Sequence, residues 1–372
     1  MFLKCDAAGI ASSADVDTLL GGALSQLIEG DFQTRWEAAK RLTAFGPEAI
    51  ECLTPLLADA ELDWEARWFI ARTLGEFDHE AALAALVQLL QETTEPELIE
   101  IAAEGLSHFG KRGVDALVQL LAKPSHRLTA IQALANVRDP AIFEPLLALA
   151  DDSDPTIRSL VIPALANFKV PPVDALLLAA VKDTHATVRQ EAITHLGLRS
   201  HLLAQLDLVS VLMPGLWDLS PRVNKATAIA LGRLNTETSV TSLAQVLSSI
   251  HTPESLQIDV VRALGWIEKP SALLALFSAR NQTSVAVQVE IINTLSRFRA
   301  PQLQQRAGEL LCHWLTTDLG AATGSAAVYQ AIALALGQLH YAPALSLLLD
   351  LQQGPNAQTR LYVEAALKQL QA

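Results

Sequence analysis

Asp63-Trp-Glu-Ala-Arg-Trp-Phe-Ile-Ala-Arg-Thr-Leu-Gly-Glu-Phe77 is the cleanest copy of a signature that returns eleven times along the chain. Aligned on its Leu74, the copies place anchors at Leu42, Leu74, Leu106, Leu134, Leu165, Leu196, Leu231, Leu264, Leu295, Leu336 and Leu367. Successive anchors lie 28 to 41 residues apart, most of them 31 to 33. Positions eight before, four before and three after the anchors are mostly apolar, and Arg199 alone breaks the rule at plus three. These offsets share one face of a 3.6-residue helix, so that face is buried.

Eleven residues before the anchors stand Asp31, Asp63, Glu95, Asp154, Ser220, Ser284, Ser325 and Asn356. Most can accept the free amide hydrogens of a first helical turn, and Pro96, Pro155 and Pro221 follow three of them at a position that needs no N–H. They read as helix starts rather than catalytic acids. Upstream of each signature runs a second apolar stretch, as in Ala49 to Leu57, Ala81 to Leu90, Val114 to Leu121, Ile142 to Ala150, Val173 to Val181, Leu243 to Ile250 and Ala344 to Leu351. Neither helix of such a pair can bury its stripe alone, so neighbouring pairs must stack. The expected fold is all-α, an α-α superhelix of about eleven helix pairs. It is expected to run as one solenoid over residues 14–372, behind a mobile N-terminal extension over residues 1–13.

The pattern x-Val-Arg-x-x-Ala-x-x-x-Leu-Gly, seen from Thr187 to Gly197 and again from Asp63 to Phe77, resembles HEAT repeats. More narrowly it is similar to the HEAT-like repeats of cyanobacterial phycobilin lyases and their relatives, from about Asp31 to Leu370. Because the pattern consists of packing residues, the resemblance implies a fold more than an activity.

Hydrophobic residues make up 51% of the chain and aromatic ones only 5%, as closely packed Ala and Leu helices require. Cys5, Cys52 and Cys312 show no paired spacing, which points to a reducing, cytoplasmic setting. Lys4, Cys5 and Asp6 interrupt any signal-peptide core. Leu319 to Leu349 lacks acids, Lys and Arg, yet Gly320, Gly324, Gly337 and Pro343 break it, so it reads as a buried repeat rather than a membrane span.

Charge is uneven. Residues 1–104 hold 20 Asp and Glu against 6 Lys and Arg, whereas the remainder is near neutral. That field repels nucleic acid and anionic lipid and favours a basic partner surface near the first repeats; a plain solvated face is the alternative. In the same quarter Trp36 and Trp68 share the slot six before the anchor, Trp64 lies one turn before Trp68, and Arg35, Arg67 and Arg72 accompany them. Trp and Arg dominate binding hot spots, so these six residues are the candidate partner-binding set; indoles that only fill gaps between helices are the competing reading. Trp217 and Trp266 form a second, weaker pair. Arginine seven before the anchor, at Arg35, Arg67, Arg127, Arg158, Arg189 and Arg360, reads as a structural ladder pairing with acids such as Asp63 or Asp154.

Catalytic and phosphate-binding signatures are missing from the sequence, and no three His or Cys stand at metal-ligand spacing, so no catalytic residue and no metal site is expected. Cys5 alone is held open, as an accessible thiol able to share a cluster with a partner. Two functions follow from the resemblance. The first is a non-enzymatic scaffold that binds a folded protein on the concave face of the solenoid, similar to the cyanobacterial HEAT-repeat proteins that partner an IscA-type iron–sulfur carrier, with no cofactor in the isolated chain and the cluster brought by the carrier. The second is a bilin lyase subunit or bilin-handling chaperone. In the lyases two tryptophans precede Leu-Gly in the matching helix; here Arg72 and Thr73 occupy those positions, removing the residues best suited to stack on a tetrapyrrole.

Overall fold

The computed structural model describes residues 13–137, 139–321 and 325–371. Among them are 22 α-helices and no strand, and every anchor leucine lies in the second helix of a pair. The anchors are fully buried except for Leu367, at 8% exposure, and the residues four before them are all 0% exposed. The periodicity therefore locates the buried stripe of the second helix of each pair correctly among the described residues.

By its contacts the chain divides into two compact units, Met1–Val173 and Asp174–Ala372. In the first, the pairs are α1 (Ser13–Glu29) with α2 (Phe32–Leu42), α3 (Pro47–Leu57) with α4 (Trp64–Leu74), α5 (Glu80–Glu92) with α6 (Pro96–His108), α7 (Lys111–Leu121) with α8 (Arg127–Asn136), and α9 (Phe143–Leu147) with α10 (Pro155–Leu165). The boundary falls within α11 (Pro171–Ala180), which precedes α12 (Ala186–Leu196). In the second unit follow α13 (Leu208–Leu212) and α14 (Pro221–Leu234), α15 (Glu237–Leu247) and α16 (Glu254–Gly265), α17 (Pro270–Ala279) and α18 (Val285–Leu295), α19 (Pro301–Ala321) and α20 (Ala326–Gln338), and α21 (Leu345–Gln352) and α22 (Ala357–Gln371). Within each unit the even-numbered helices pack on one another in order, and odd-numbered ones such as α3, α5 and α7, or α15, α17 and α19, stack beside them. The irregular intervals have local causes. The 21 residues of α19 absorb the longest one, and two 3₁₀ turns, Ser200–Ala204 and Met213–Trp217, absorb the interval between Leu196 and Leu231.

Helix starts follow the expected chemistry. Asp31, Asp63, Asp154, Ser284, Ser325 and Asn356 each accept a backbone N–H of the first turn. Glu95 and Ser220 make no such bond, and there Pro96 and Pro221 remove a donor from that turn. No described helix is long and apolar enough to cross a membrane, and Val328, Ile332 and Leu336 of α20 are buried against repeat neighbours.

The minus-seven ladder differs from the expectation in its constant partner. Arg35 donates to the Ile28 carbonyl, Arg67 to Leu57, Arg127 to Leu121, Arg158 to Asp152, Arg189 to Asp183 and Arg360 to Gly354. Gln257 and Gln288 in the same slot reach the Leu247 and Arg280 carbonyls. Each side chain thus serves a carbonyl at or beyond the end of the preceding odd-numbered helix, where no intrahelical donor exists. Acids add to this in particular repeats: Arg35 binds Asp63 at 2.8 Å and Glu65 at 3.2 Å, Arg127 binds Asp152 at 2.9 Å, and Arg189 grips both carboxylate oxygens of Asp218. Asp152 receives Arg127, and Asp154 caps α10.

Candidate protein-binding site

The face of each even-numbered helix turned away from the seam runs through positions ten, six and two before the anchor and two after it. For α2 these positions are Phe32, Trp36, Lys40 and Ala44, and for α4 they are Trp64, Trp68, Arg72 and Glu76. Because α2 and α4 pack side by side, the two rows form adjacent ridges. Phe32 and Trp64 are exposed at 61% and 52%, while Trp36 and Trp68 are half-buried.

Arg72 joins the ridges. Its guanidinium carbon lies 4.5 Å from the Trp36 ring centroid and 5.8 Å from that of Trp68, and the Lys40 ammonium lies 5.6 Å from Trp36. Each such contact is worth roughly 0.5–2 kcal/mol, rising with desolvation. Phe69, almost fully buried, supports the layer from below, with ring centroids 5.1 Å from Trp68, 5.3 Å from Phe32 and 6.4 Å from Trp36. Trp36, Lys40, Arg72, Thr73 and Glu76 line a groove of about 360 Å³ between the helices. The result is a fixed aromatic platform with its cations held against the rings.

The six sequence candidates fall into two groups. Trp36, Trp64, Trp68 and Arg72 come together on this surface. Arg35 is turned inward at 6% exposure onto Asp63, Glu65 and Ile28, and Arg67 points to the Leu57 carbonyl. Phe32, Lys40 and Glu76 belong to the surface and were not singled out from the sequence. The shared register of Phe32 with Trp64, ten before the anchor, was the signal that could have found them. Trp217 and Trp266 are also exposed, at 56% and 52%.

For a metal or cluster the described residues offer little. No three or more His, Cys, Asp or Glu among them meet in a way that could hold a metal ion. Cys52 and Cys312 are free and half-buried, and burial pushes the Cys312 thiol up to about 11, which keeps it protonated near neutrality. These residues do not fit an iron–sulfur cluster; Cys5 and the rest of the extension up to Ser12 lie outside the described residues.

Stacked helix pairs with side chains of alternate helices set out as a ridge define a helical-repeat protein of the α-solenoid class. The chain belongs to the HEAT-repeat family, whose model matches residues 22–107, 114–197 and 173–251. Similar folds occur in a homology model of the full-length AP-3 complex in an intermediate open conformation (TM-score 0.57, 15% identity, 95% of this chain and 70% of that one). They occur also in importin beta (0.57, 14%, 96% and 60%) and in Kap121p bound to RanGTP (0.53, 15%, 95% and 48%). The chain thus spans only part of each, and at these identities the likeness is one of fold. A comparison with curated protein sequences gives no match.

Proposed function

We propose that this protein is a non-enzymatic scaffold that binds a folded protein partner through the ridges of α2 and α4. The observation that carries the reading is the Arg72 guanidinium set over Trp36 and Trp68 beside exposed Trp64 and Phe32. Trp and Arg in a preorganised, partly desolvated cluster are the residue types that dominate binding energy. The acidic excess of residues 1–104 selects a basic face on the partner. Kap121p, of similar fold, is seen bound to a protein, RanGTP, which supports the reading by analogy of fold.

The finer form of the proposal names an IscA-type iron–sulfur carrier as the partner, in a reducing cytoplasmic setting, with the carrier rather than this chain holding the cluster. It rests on the sequence resemblance. A bilin-handling role is the second reading, and Arg72 stands over the very indole faces on which a tetrapyrrole would stack.

Calorimetric titration of the purified protein with a purified IscA-type carrier tests the finer form, and Trp36→Ala with Trp68→Ala tests the surface. The double variant is expected to bind at least 30-fold more weakly, roughly 2 kcal/mol, while Trp217→Ala binds as the parent does and circular dichroism stays unchanged. Equal losses in both variants would overturn the placement. Tight bilin uptake by the purified protein would replace the scaffold reading with the second one.

A further inference from the structure

We infer that the second unit carries a separate docking groove, of opposite charge preference, that takes an acidic peptide segment of a partner protein. The groove lies between the C-terminal ends of α16 and α18, encloses about 550 Å³, and its lining includes Arg262, Gly265, Trp266, Glu268, Arg297 and Arg299. It uses the same outward register as the α2–α4 ridges, but at positions two before and two after the anchors. Trp266 is 52% exposed, and the equivalent positions on the flanking helices α14 and α18 are Arg233 and Arg297. In the first unit the matching positions for α2, α4 and α6 are Ala44, Glu76 and His108.

The charges that face the groove decide what fits it. The Arg262 Nε donates to Glu290 at 2.8 Å. Glu268 spends its two carboxylate oxygens on the backbone N–H groups of Arg299 and Ala300, at 3.1 and 3.2 Å, which fixes the loop into α19. Arg297 and Arg299 are exposed and have no side-chain hydrogen bond or ion pair among the described residues, and Arg233 is in the same state. The lining therefore presents guanidinium groups with unused forks around an exposed indole, while its one acid is already committed. Guanidinium forks match carboxylates in bidentate geometry, and an indole takes an apolar side chain between them. A peptide with closely spaced carboxylates and one aromatic or aliphatic residue satisfies all of these groups. Nucleic acid meets the same arginines, but three guanidinium groups, one of them already on Glu290, around a single indole are too few cations to follow a phosphate backbone, and the oligonucleotide arm of the test separates the two.

This site stands apart from the α2–α4 surface in residues and in sign, so a chain carrying both would bridge a basic partner face and an acidic one. The test uses the full chain and a fluorescein-labelled peptide, Ac-Glu-Asp-Glu-Trp-Glu-Asp-Glu, followed by anisotropy at low salt. Saturable binding is expected, weakening at least tenfold in Arg297→Glu with Arg299→Glu and in Trp266→Ala, falling with added salt, and unmoved by Trp36→Ala with Trp68→Ala. Both arginines are exposed surface groups, and unchanged circular dichroism and melting would show the variants intact. No saturable binding, binding indifferent to the Arg297 and Arg299 changes, or equal competition by a dT12 oligonucleotide would each overturn the inference.

Discussion

Asp218 shows how one side chain serves two repeats at once. Its carboxylate accepts the Ser220 N–H at 2.8 Å just before α14, and both oxygens take the guanidinium of Arg189 from α12. Hydrogen bonding to Arg189 comes first among the causes that hold the carboxyl below its ordinary 3.8, with the Ser220 N–H adding to it against the cost of burial. A lowered folded-state value means that the unfolded chain binds the proton more readily. The stabilisation is therefore complete above about pH 5 and is lost as the pH falls through the depressed value. Asp218→Asn is expected to cost about 3 kcal/mol or less near neutrality. In melts taken from pH 6 down to pH 2.5, the gap between parent and variant should be constant above about pH 5 and narrow steadily as the pH falls below it. A gap at pH 2.5 as wide as that at pH 6 would show that the Arg189 contact contributes by packing rather than by charge. Arg199 is the same chemistry in an unexpected place: at the plus-three slot it is 2% exposed and ion-paired with Asp174, which also lies 3.6 Å from His201. A buried pair there replaces the apolar plug used in the other repeats.

At the scale of the helix, the Leu-Gly signature is explained by how closely consecutive even-numbered helices approach. Gly75 sits in right-handed helical backbone at the end of α4, where alanine would ordinarily be preferred by about 1 kcal/mol. A Cβ built there would lie 2.7 Å from the Gly105 Cα of α6, backbone that cannot swing aside. Overpacking of that kind costs roughly 1–3 kcal/mol, so the clash outweighs the propensity gain. Gly75→Ala should lower the denaturant midpoint, whereas Gly21→Ala in α1, with open space around it, should raise it slightly. Two changes of the same sign would remove close approach as the reason for the motif. The anchors, caps and seam were legible because helical period and capping are local properties, written into each repeat separately. The short α9 and α13, broken up by Pro140, Pro145 and Pro214, were less so, since how far a proline-rich apolar stretch remains helical depends on its neighbours. The aromatic ridge proposed as the site was half legible. Two tryptophans in equal slots gave it away, but Phe32, Lys40 and Glu76 matter only because α2 lies against α4, and Arg35 left the set because its acids come from the next repeat.

Over the whole chain, repeats that touch mainly their neighbours make stability a sum of nearby interfaces, and the contacts group into two compact units with their boundary in α11. A lesion deep in one unit should then unfold that unit without carrying the other with it. Leu165 is fully buried in α10 and follows Pro163, where the helix already lacks one backbone donor. Leu165→Asp removes an apolar side chain worth about 2 kcal/mol of burial and places a carboxylate on a helix whose Ile157, Val161 and Ile162 are buried, at a further cost of several kcal/mol if it stays ionised. Total stability of such domains is commonly about 5–15 kcal/mol, so the loss is large enough to uncouple the first unit and too local to destroy the second. Scanning calorimetry of the variant should show two separated transitions where the parent shows closely spaced or merged ones. Proteolysis held between the two temperatures should leave a protected fragment beginning near Asp174. One concerted transition at lower temperature, with no protected fragment, would mean that the cooperative unit is the entire chain and that the seam couples more repeats than its nearest neighbours.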